Sequence, residues 1–227
     1  MSATPLSMAA PQSFPMRYGV LLYPGFQALD VFGPLDVFTS LSQFHPLHLS
    51  IISKTMDPIP TKLGASQNGS QFAQSVLPTH TFENAPPLDI LLVPGGLGNR
   101  PPSDMEPYIL YIQAVYPDLK YLLTVCTGSY LAARTGILDG KRATTNKKAF
   151  REIATAYPKV NWVAQARWVA DENIWTSSGV AAGMDLALSF IAKVYGDDLA
   201  TSISDSLEYE RHEDADWDPF ATRHGLV

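Results

Sequence analysis

The 227-residue chain contains 46% hydrophobic and 17% charged residues, a composition typical of a globular protein rather than a disordered one. Its net charge of −6 argues against binding to the phosphate backbone of nucleic acids, and no apolar run approaches the roughly 18 residues that a membrane span needs. The single cysteine excludes an internal disulfide framework, a cysteine-rich zinc site and an iron–sulfur cluster.

The two ends of the sequence differ from its middle in composition. Residues 1–16 are rich in proline, serine and alanine and carry no charge, so we interpret them as a flexible arm before a single domain over residues 17–227. This arm lacks the basic start and the continuous apolar run of a signal peptide. Together with the free thiol, this composition predicts a cytoplasmic protein. Residues 209–227 are polar but carry large aromatic side chains, which indicates a tail that docks on the domain.

Short apolar runs alternate with helical patterns through the first half of the chain. The pattern predicts strands at Tyr18–Tyr23, Leu47–Ser53 and Leu88–Val93, and helices at Ala28–Ser42 and Asp104–Tyr116. The near-continuous apolar run Leu88–Val93 is typical of a parallel strand that is buried on both faces. Residues 57–83 are rich in Gly, Ser, Gln and Pro, so we interpret them as a loop with one or two short edge strands.

The second half continues the same alternation. It predicts strands at Leu119–Val125, Val160–Ala164, Arg167–Val169 and Asn173–Thr176, and helices from the turn after Val125 to about Arg134, at Lys147–Tyr157, Ala181–Tyr195 and Asp197–Glu208. Strands that alternate with helices are typical of a single α/β domain with a mostly parallel sheet.

The strongest local signal is Thr124-Val-Cys126-Thr-Gly-Ser129, where an apolar strand runs into a small-residue turn and then a helix. A side chain at such a turn is exposed at the carboxyl end of the sheet, as in the nucleophile elbow of esterases. The N–H groups and the positive dipole end of the following helix favour the thiolate. We therefore expect Cys126 to be a nucleophile with a lowered pKa; the alternative is a buried, inert thiol.

A carboxylate is the better candidate partner for this thiol, because none of the five histidines lies near Cys126 in the sequence. Asp30 follows the first predicted strand, and its apolar neighbours would desolvate it and raise its pKa, which makes a proton donor near neutral pH. Asp36 is an alternative acid on the same helix. The competing interpretation of Asp30 is a helix cap.

Two glycine turns follow predicted strands. Gly95, Gly96 and Leu97 end one strand, and Gly179 and Val180 end a later one. Small residues let backbone N–H groups approach a ligand, as an anion-stabilising site requires. The alternative is a pair of ordinary tight turns. Neither turn is a phosphate loop, because the sequence contains no G-x-x-x-x-G-K-[ST] pattern.

From about Arg17 to Phe220 the chain resembles the ThiJ/PfpI superfamily, and within it the isocyanide hydratase branch. The matching segments are Leu22–Gly25, Leu29–Pro34, Val93–Gly96, Val125–Ser129, Gly140–Thr145, Thr176–Gly179 and Gly183–Asp185. The resemblance implies a flavodoxin-like sandwich, with a mostly parallel sheet covered by helices on both faces, usually assembled as a homodimer. It implies no metal and no organic cofactor.

The same resemblance implies roles for individual residues. Cys126 is the nucleophile, Asp30 is the acid beside it, and Thr127 places a hydroxyl next to both. Backbone N–H groups around Gly96, Leu97 and Thr127 line the anion-stabilising side. Two departures stand out: Thr127 occupies the place of the histidine of the protease-like branch, and Asn146 follows Thr-Thr where many relatives have histidine. Peptidase activity is therefore not expected.

The leading hypothesis is hydration of a small-molecule isocyanide to an N-substituted formamide through a covalent thioimidate on Cys126. A glyoxalase-type reaction on an α-oxoaldehyde is the second, although those relatives usually carry glutamate in the acid position. The third is a non-catalytic redox sensor or binding protein, and the fourth a specialised enzyme that reuses the pocket. Candidate apolar pocket residues, each of which could equally belong to the core, are Tyr23, Phe32, Leu97, Trp175 and Val180.

Overall fold

The computed structural model describes residues 14–63, 69–101 and 103–227. Most of the arm predicted over residues 1–16 therefore lies outside the described residues. Its last residues contact the domain, because the Phe14 ring stacks on Tyr195, whose hydroxyl donates to the Pro15 carbonyl over 2.6 Å.

Eleven strands occur in the described part of the chain. In chain order they are β1 (Arg17–Leu21), β2 (His48–Ser53), β3 (Ile59–Pro60), β4 (Ser75–Val76), β5 (His80–Thr81), β6 (Ile90–Val93), β7 (Tyr121–Thr124), β8 (Arg142–Ala143), β9 (Asn161–Trp162), β10 (Trp168–Asp171) and β11 (Ile174–Ser177). Seven of them form the central sheet in the order β10-β11-β7-β6-β1-β2-β5. Every neighbouring pair in this sheet is parallel except β10 with β11.

Seven α-helices connect and cover these strands within the described ranges. They are α1 (Ala28–Leu41), α2 (Glu106–Val115), α3 (Gly128–Arg134), α4 (Phe150–Ala156), α5 (Ala182–Tyr195), α6 (Asp197–Ser206) and α7 (Pro219–Arg223). Helices α1, α5 and α6 pack against one another, and α2 packs against α3. No helix in the described ranges combines the length and apolarity that crossing a bilayer requires.

The central strands are the most buried part of the molecule. All four residues of β6 are buried, as the continuous apolar run Leu88–Val93 predicts. Its neighbours β1 and β7 are apolar and buried over most of their length, so the sheet has a hydrophobic core on both of its faces. The predicted α/β fold with a mostly parallel sheet is confirmed.

The structure differs from the sequence interpretation in three short segments. The described residues of the segment 57–83 hold three two-residue strands: β5 joins the edge of the central sheet, while β3 and β4 form a separate antiparallel pair. Strand β9 is shorter than the predicted Val160–Ala164 and pairs with β8 instead of the central sheet. The predicted helix Lys147–Tyr157 begins as a 3₁₀ turn at Lys147–Ala149, whose first side chain points inward and is buried.

Four adjacent strands of the sheet end at the same edge. The chain leaves β1, β6, β7 and β11 there through short loops that begin α1, a 3₁₀ turn, α3 and α5. The loops after β1 and β6 are joined by backbone hydrogen bonds, from Gln27 N–H to the Gly95 carbonyl (2.8 Å) and from Gly98 N–H to the Gly25 carbonyl (3.0 Å). This edge is where open α/β sheets bind ligands.

Candidate functional site

Cys126 lies in the turn between β7 and α3 with a left-handed backbone conformation (φ 57°), which is uncommon for a residue with a side chain. Its N–H donates to the Ser178 carbonyl over 3.0 Å. Its own carbonyl accepts from the hydroxyls of Ser129 and Thr145, both over 3.1 Å. The surrounding loops therefore hold this strained turn in place.

Asp30 lies in the first turn of α1 and is fully buried. Its Oδ2 accepts the Gly95 N–H over 2.8 Å, whereas Oδ1 has no hydrogen-bond partner among the described residues. Burial raises the pKa of this carboxyl to about 7, although the Gly95 N–H and the neighbouring Cys126 thiol favour its charged form. Asp30 therefore changes its protonation state near neutral pH.

Burial also raises the pKa of the Cys126 thiol, to about 12, and the nearby Asp30 charge adds to this effect. The backbone N–H groups of Thr127 and Val180 and the side chain of Asn146 act in the opposite direction, because they favour the thiolate. The prediction of a lowered thiol pKa is wrong, since burial outweighs the amino-terminal turn of the seven-residue α3.

Thr127 is buried beside this pair, and its hydroxyl is engaged within the protein. Its Oγ1 accepts from the Gly96 N–H and from Asn99 Nδ2, both over 3.1 Å. Asn99 Nδ2 also donates to the Thr127 carbonyl over 2.8 Å. The Gly96 N–H is therefore occupied by Thr127, and the Thr127 hydroxyl connects the glycine turn after β6 to the cysteine turn after β7.

At two glycines of the site, a side chain would collide with a neighbouring loop. A Cβ at Gly95 would lie 2.5 Å from the Thr127 nitrogen and 3.0 Å from Asp30 Oδ2. A Cβ at Gly179 would lie 2.5 Å from Asn146 Nδ2. Glycine at these positions therefore allows the strand-end loops to approach each other closely.

A cavity of about 480 Å³ opens onto the cysteine. Its lining residues are Gln27, Gly96, Leu97, Arg100, Cys126, Thr127, Asn146, Lys148, Ala149, Glu152 and Val180. Leu97 is 78% exposed at its mouth, so this side chain is available to a ligand. No histidine lines this cavity, and no group of three or more metal-binding side chains occurs in residues 14–63, 69–101 and 103–227.

The other candidate residues lie away from this cavity. Phe32 and Asp36 line a separate groove along α1, where Asp36 is exposed, so Asp30 is the carboxyl of this helix that faces the thiol. Tyr23 is buried, and its hydroxyl donates to the Pro94 carbonyl over 2.6 Å. This hydrogen bond fixes the backbone directly before the glycine turn at Gly95. Trp175 packs edge-on against Phe190 in the core.

Sequence reasoning missed Asn99 and did not assign a role to Asn146. Both are asparagines at the start or end of 3₁₀ turns, and each contacts a loop that lies far away in the sequence. The only sequence signal for Asn99 is a polar residue directly after a glycine-rich turn. For Asn146 the signal is its position after Thr144 and Thr145, where the resemblance places histidine in many relatives.

The fold and the site together define an α/β protein with a buried cysteine–carboxylic acid pair at the carboxyl edge of its sheet. The DJ-1/PfpI family model matches residues 16–193, and the chain belongs to this family. The predicted resemblance to ThiJ/PfpI proteins is thus confirmed.

Two groups of relatives illustrate the range of this family. The isonitrile hydratase of Pseudomonas putida is 33% identical over 194 residues, which span 86% of this chain and 78% of that protein. The HTH-type transcriptional regulator GbdR of Pseudomonas aeruginosa is 33% identical over 136 residues, but these span 60% of this chain and only 36% of the regulator.

Solved structures agree with the fold. A ThiJ/PfpI family protein from Pseudomonas syringae superposes with a TM-score of 0.71 at 26% identity, covering 92% of this chain and 84% of that chain. Drosophila melanogaster DJ-1beta superposes with a TM-score of 0.66 at 15% identity, covering 86% and 99% of the two chains. At such low identity the second structure supports the fold alone.

Proposed function

We propose that the protein is an isocyanide hydratase that works through Cys126 and Asp30, without a cofactor. The observation that carries this proposal is the buried acid–thiol pair, in which a carboxyl with a pKa of about 7 adjoins a thiol at the wall of a cavity. The 33% identity to an isonitrile hydratase over most of both chains supports the same reaction.

In the first half-reaction the Cys126 sulfur attacks the terminal carbon of the isocyanide. The Asp30 carboxylate accepts the thiol proton as the new C–S bond forms and then delivers this proton to the same carbon. The product is a thioimidate, R–N=CH–S–Cys126, in which no charge remains. One carboxyl group thus acts first as a base and then as an acid, which its pKa near 7 permits.

In the second half-reaction a water molecule replaces the sulfur. Asp30 accepts a proton from the water as the water oxygen attacks the thioimidate carbon, and it passes this proton to the nitrogen. The C–S bond of the tetrahedral adduct then breaks as the adduct's hydroxyl gives its proton to Asp30, which returns it to the sulfur, and R–NH–CHO leaves. The sum is one isocyanide plus one water giving one formamide, so the pair returns to its starting state.

The donors around the sulfur stabilise the charge that develops there. The N–H groups of Thr127 and Val180 and the Asn146 carboxamide favour the thiolate, which the raised thiol pKa otherwise disfavours. Such fixed donors in a largely buried site reorganise little during the reaction, which is the main source of electrostatic catalysis. Thr127 additionally fixes the turn that carries Gly96.

Turnover of 4-nitrophenyl isocyanide to its formamide tests the proposal. Cys126→Ala removes the nucleophile and Asp30→Asn removes the proton acceptor, so we expect each to lower kcat by at least about a thousandfold. Asp36→Asn is the matched control, because it changes an exposed acid on the same helix, and it should retain wild-type kcat.

The wild-type protein also distinguishes the alternatives. If the wild-type protein forms no formamide but turns over methylglyoxal in a reaction that requires Cys126, the protein is a glyoxalase-type enzyme and the hydratase proposal is wrong. No turnover of either compound would leave a ligand-binding or redox-sensing role, as the similarity to transcriptional regulators allows.

A further inference from the structure

The walls of the active-site cavity carry positive charge although the chain as a whole has a net charge of −6. Arg100 and Lys148 line the cavity, and Glu152 is the acidic side chain on its wall. Arg100 is matched by Glu152, since the two form an ion pair of 2.7 Å. Lys148 is exposed and forms no ion pair with any of the residues that the structure describes.

A second cavity, of about 300 Å³, adjoins the first and shares Asn146, Lys148 and Val180 with it. Its other lining residues are Lys147, Arg167, Ser178, Gly179, Ala181, Phe220 and His224. These walls combine apolar surface with cationic side chains, and none of the described residues that line them is acidic.

The two other cations of this second cavity are already neutralised from inside the protein. Lys147 Nζ lies 3.5 Å from the buried Asp218, and Arg167 Nε lies 2.5 Å from the buried Asp185. Lys148 is therefore the cation that both cavities share and that no described carboxylate compensates.

The backbone that carries Lys148 is held firmly. The preceding Lys147 side chain donates to Thr144 Oγ1 and to the Ala166 carbonyl, both over 2.7 Å. The Ala149 N–H donates to the Asn146 carbonyl over 3.1 Å. Lys148 thus extends a flexible side chain from a fixed position between the reactive sulfur and the second cavity.

We propose that Lys148 binds a carboxylate on the far end of the substrate's N-substituent, so that the preferred substrates are anionic isocyanides. This inference rests on the proposed hydratase activity and specifies its substrate class. With the terminal carbon at Cys126, the substituent extends past Val180, and its apolar part contacts that side chain and Leu97. The carboxylate at its end pairs with Lys148 Nζ.

Steady-state kinetics with two substrates of nearly equal size test this inference. They are 4-isocyanobenzoate, which is anionic, and 4-isocyanobenzamide, which is neutral. Lys148→Met keeps the length and apolar stem of the side chain but removes its charge. We expect it to lower kcat/KM for the benzoate about three- to fivefold, mainly through KM, as for a partly screened ion pair. The benzamide should change less than about twofold.

The quantity to compare between variants is the ratio of kcat/KM for the benzoate to kcat/KM for the benzamide. This ratio changes between variants only through the protein, because the intrinsic reactivities of the two substrates stay the same. Lys193→Met is the matched control, because Lys193 is also exposed and lines a different cavity; it should leave the ratio unchanged. A ratio that Lys148→Met does not alter, or an equal loss on both substrates, would overturn the inference.

A binding measurement separates this inference from the proposed activity. Titration calorimetry with 4-formamidobenzoate and 4-formamidobenzamide, the two products, needs no turnover. If the wild-type protein turns over neither isocyanide, the hydratase proposal fails. A preference for the anionic product that Lys148→Met abolishes would still support Lys148 as the carboxylate site, and equal binding of both products would reject it.

Discussion

The side chain of Asp30 combines complete burial with a single strong hydrogen bond. The Gly95 N–H satisfies Oδ2, and Oδ1 is left without a partner in the described part of the chain. A carboxylate in such a place is destabilised relative to the neutral acid, which is the physical cause of its raised pKa. Burial of this carboxylate therefore costs some folding stability, and the proposed reaction uses the same raised pKa to exchange a proton near neutral pH.

Comparing the Asp30→Asn variant with the wild-type protein shows how much folding stability the buried carboxylate costs. The pKa rises from 3.8 to about 7 on folding, so the folded state binds more protons than the unfolded state between these values. The free energy of unfolding of the wild-type protein should then fall as the pH rises through this window, by up to about 4 kcal/mol. The Asp30→Asn variant has no buried carboxyl to ionise. Its free energy of unfolding should therefore exceed that of the wild-type protein by little at pH 4.5 and by most at pH 8.

Urea unfolding at both pH values provides the measurement. Asp36→Asn changes an exposed acid and should show no such pH-dependent advantage. If the advantage of Asp30→Asn were the same at pH 4.5 and pH 8, the raised pKa would be refuted.

Two loops from different parts of the chain meet at the sulfur of Cys126. One follows β11 and carries Gly179 and Val180, and the other precedes α4 and carries Asn146. Their separation is set by the absence of a side chain at Gly179, because a Cβ there would lie 2.5 Å from Asn146 Nδ2. The position of the carboxamide thus depends on the packing of one loop against the other.

Gly179→Ala is therefore expected to displace the Asn146 carboxamide from the sulfur with little effect on folding, since the contacted atom ends a side chain that can rotate. Loss of one hydrogen bond to a developing charge should lower kcat about tenfold and raise the pKa for alkylation of Cys126 by iodoacetamide. Asn146→Ala should cause a similar loss. In the double variant the two losses should not add; additive losses would show that Gly179 acts elsewhere.

The elements that build the site were predictable because each depends on local sequence. The run Leu88–Val93 and the turn at Cys126 have periodicity and small residues that specify strand, turn and helix within a few positions. The contacts between loops were not predictable, since Asn99 reaches Thr127 across 28 residues. The sign of the Cys126 pKa shift was also predicted wrongly, because the shift depends on burial and on groups far away in the sequence, such as Asp30.

The C-terminal segment, residues 209–227, contacts the loops of the candidate site through buried side chains. Asp185 accepts from the Tyr209 hydroxyl over 3.0 Å and from the His212 N–H over 2.9 Å. Asp218 caps α7 by accepting the Phe220 N–H over 2.9 Å and is the counter-ion of the buried Lys147. The segment thus stabilises the loop from which Asn146 and Lys148 extend.

Asp218→Asn tests this connection, because the amide can still cap α7 but cannot neutralise Lys147. Burial lowers the pKa of Lys147 to about 8, and Asp218 opposes this effect. We expect the variant to lose about 3 kcal/mol of unfolding free energy at pH 6. The loss should shrink as the pH rises through about 8, where Lys147 of the wild-type protein becomes neutral and needs no counter-ion.

Urea unfolding at pH 6 and pH 9 distinguishes this effect from general damage to the segment. Asp216→Asn is the matched control, since Asp216 is exposed two residues away, and it should cost less than about 0.5 kcal/mol at either pH. A loss for Asp218→Asn that does not depend on pH would show that the ion pair is not its cause.

The position of Asp218 in the chain also bears on protein synthesis. Every strand of the sheet and the loop with Lys147 leave the ribosome before residues 209–227 do. Until that segment emerges, the ammonium group of Lys147 lacks Asp218, the carboxylate with which it pairs. We therefore expect the nascent chain to form its sheet before the loop that carries Asn146 and Lys148 is stable. Translation that stalls or stops before Asp218 should therefore yield a folded core whose loop around Lys147, which precedes α4, is open to proteases.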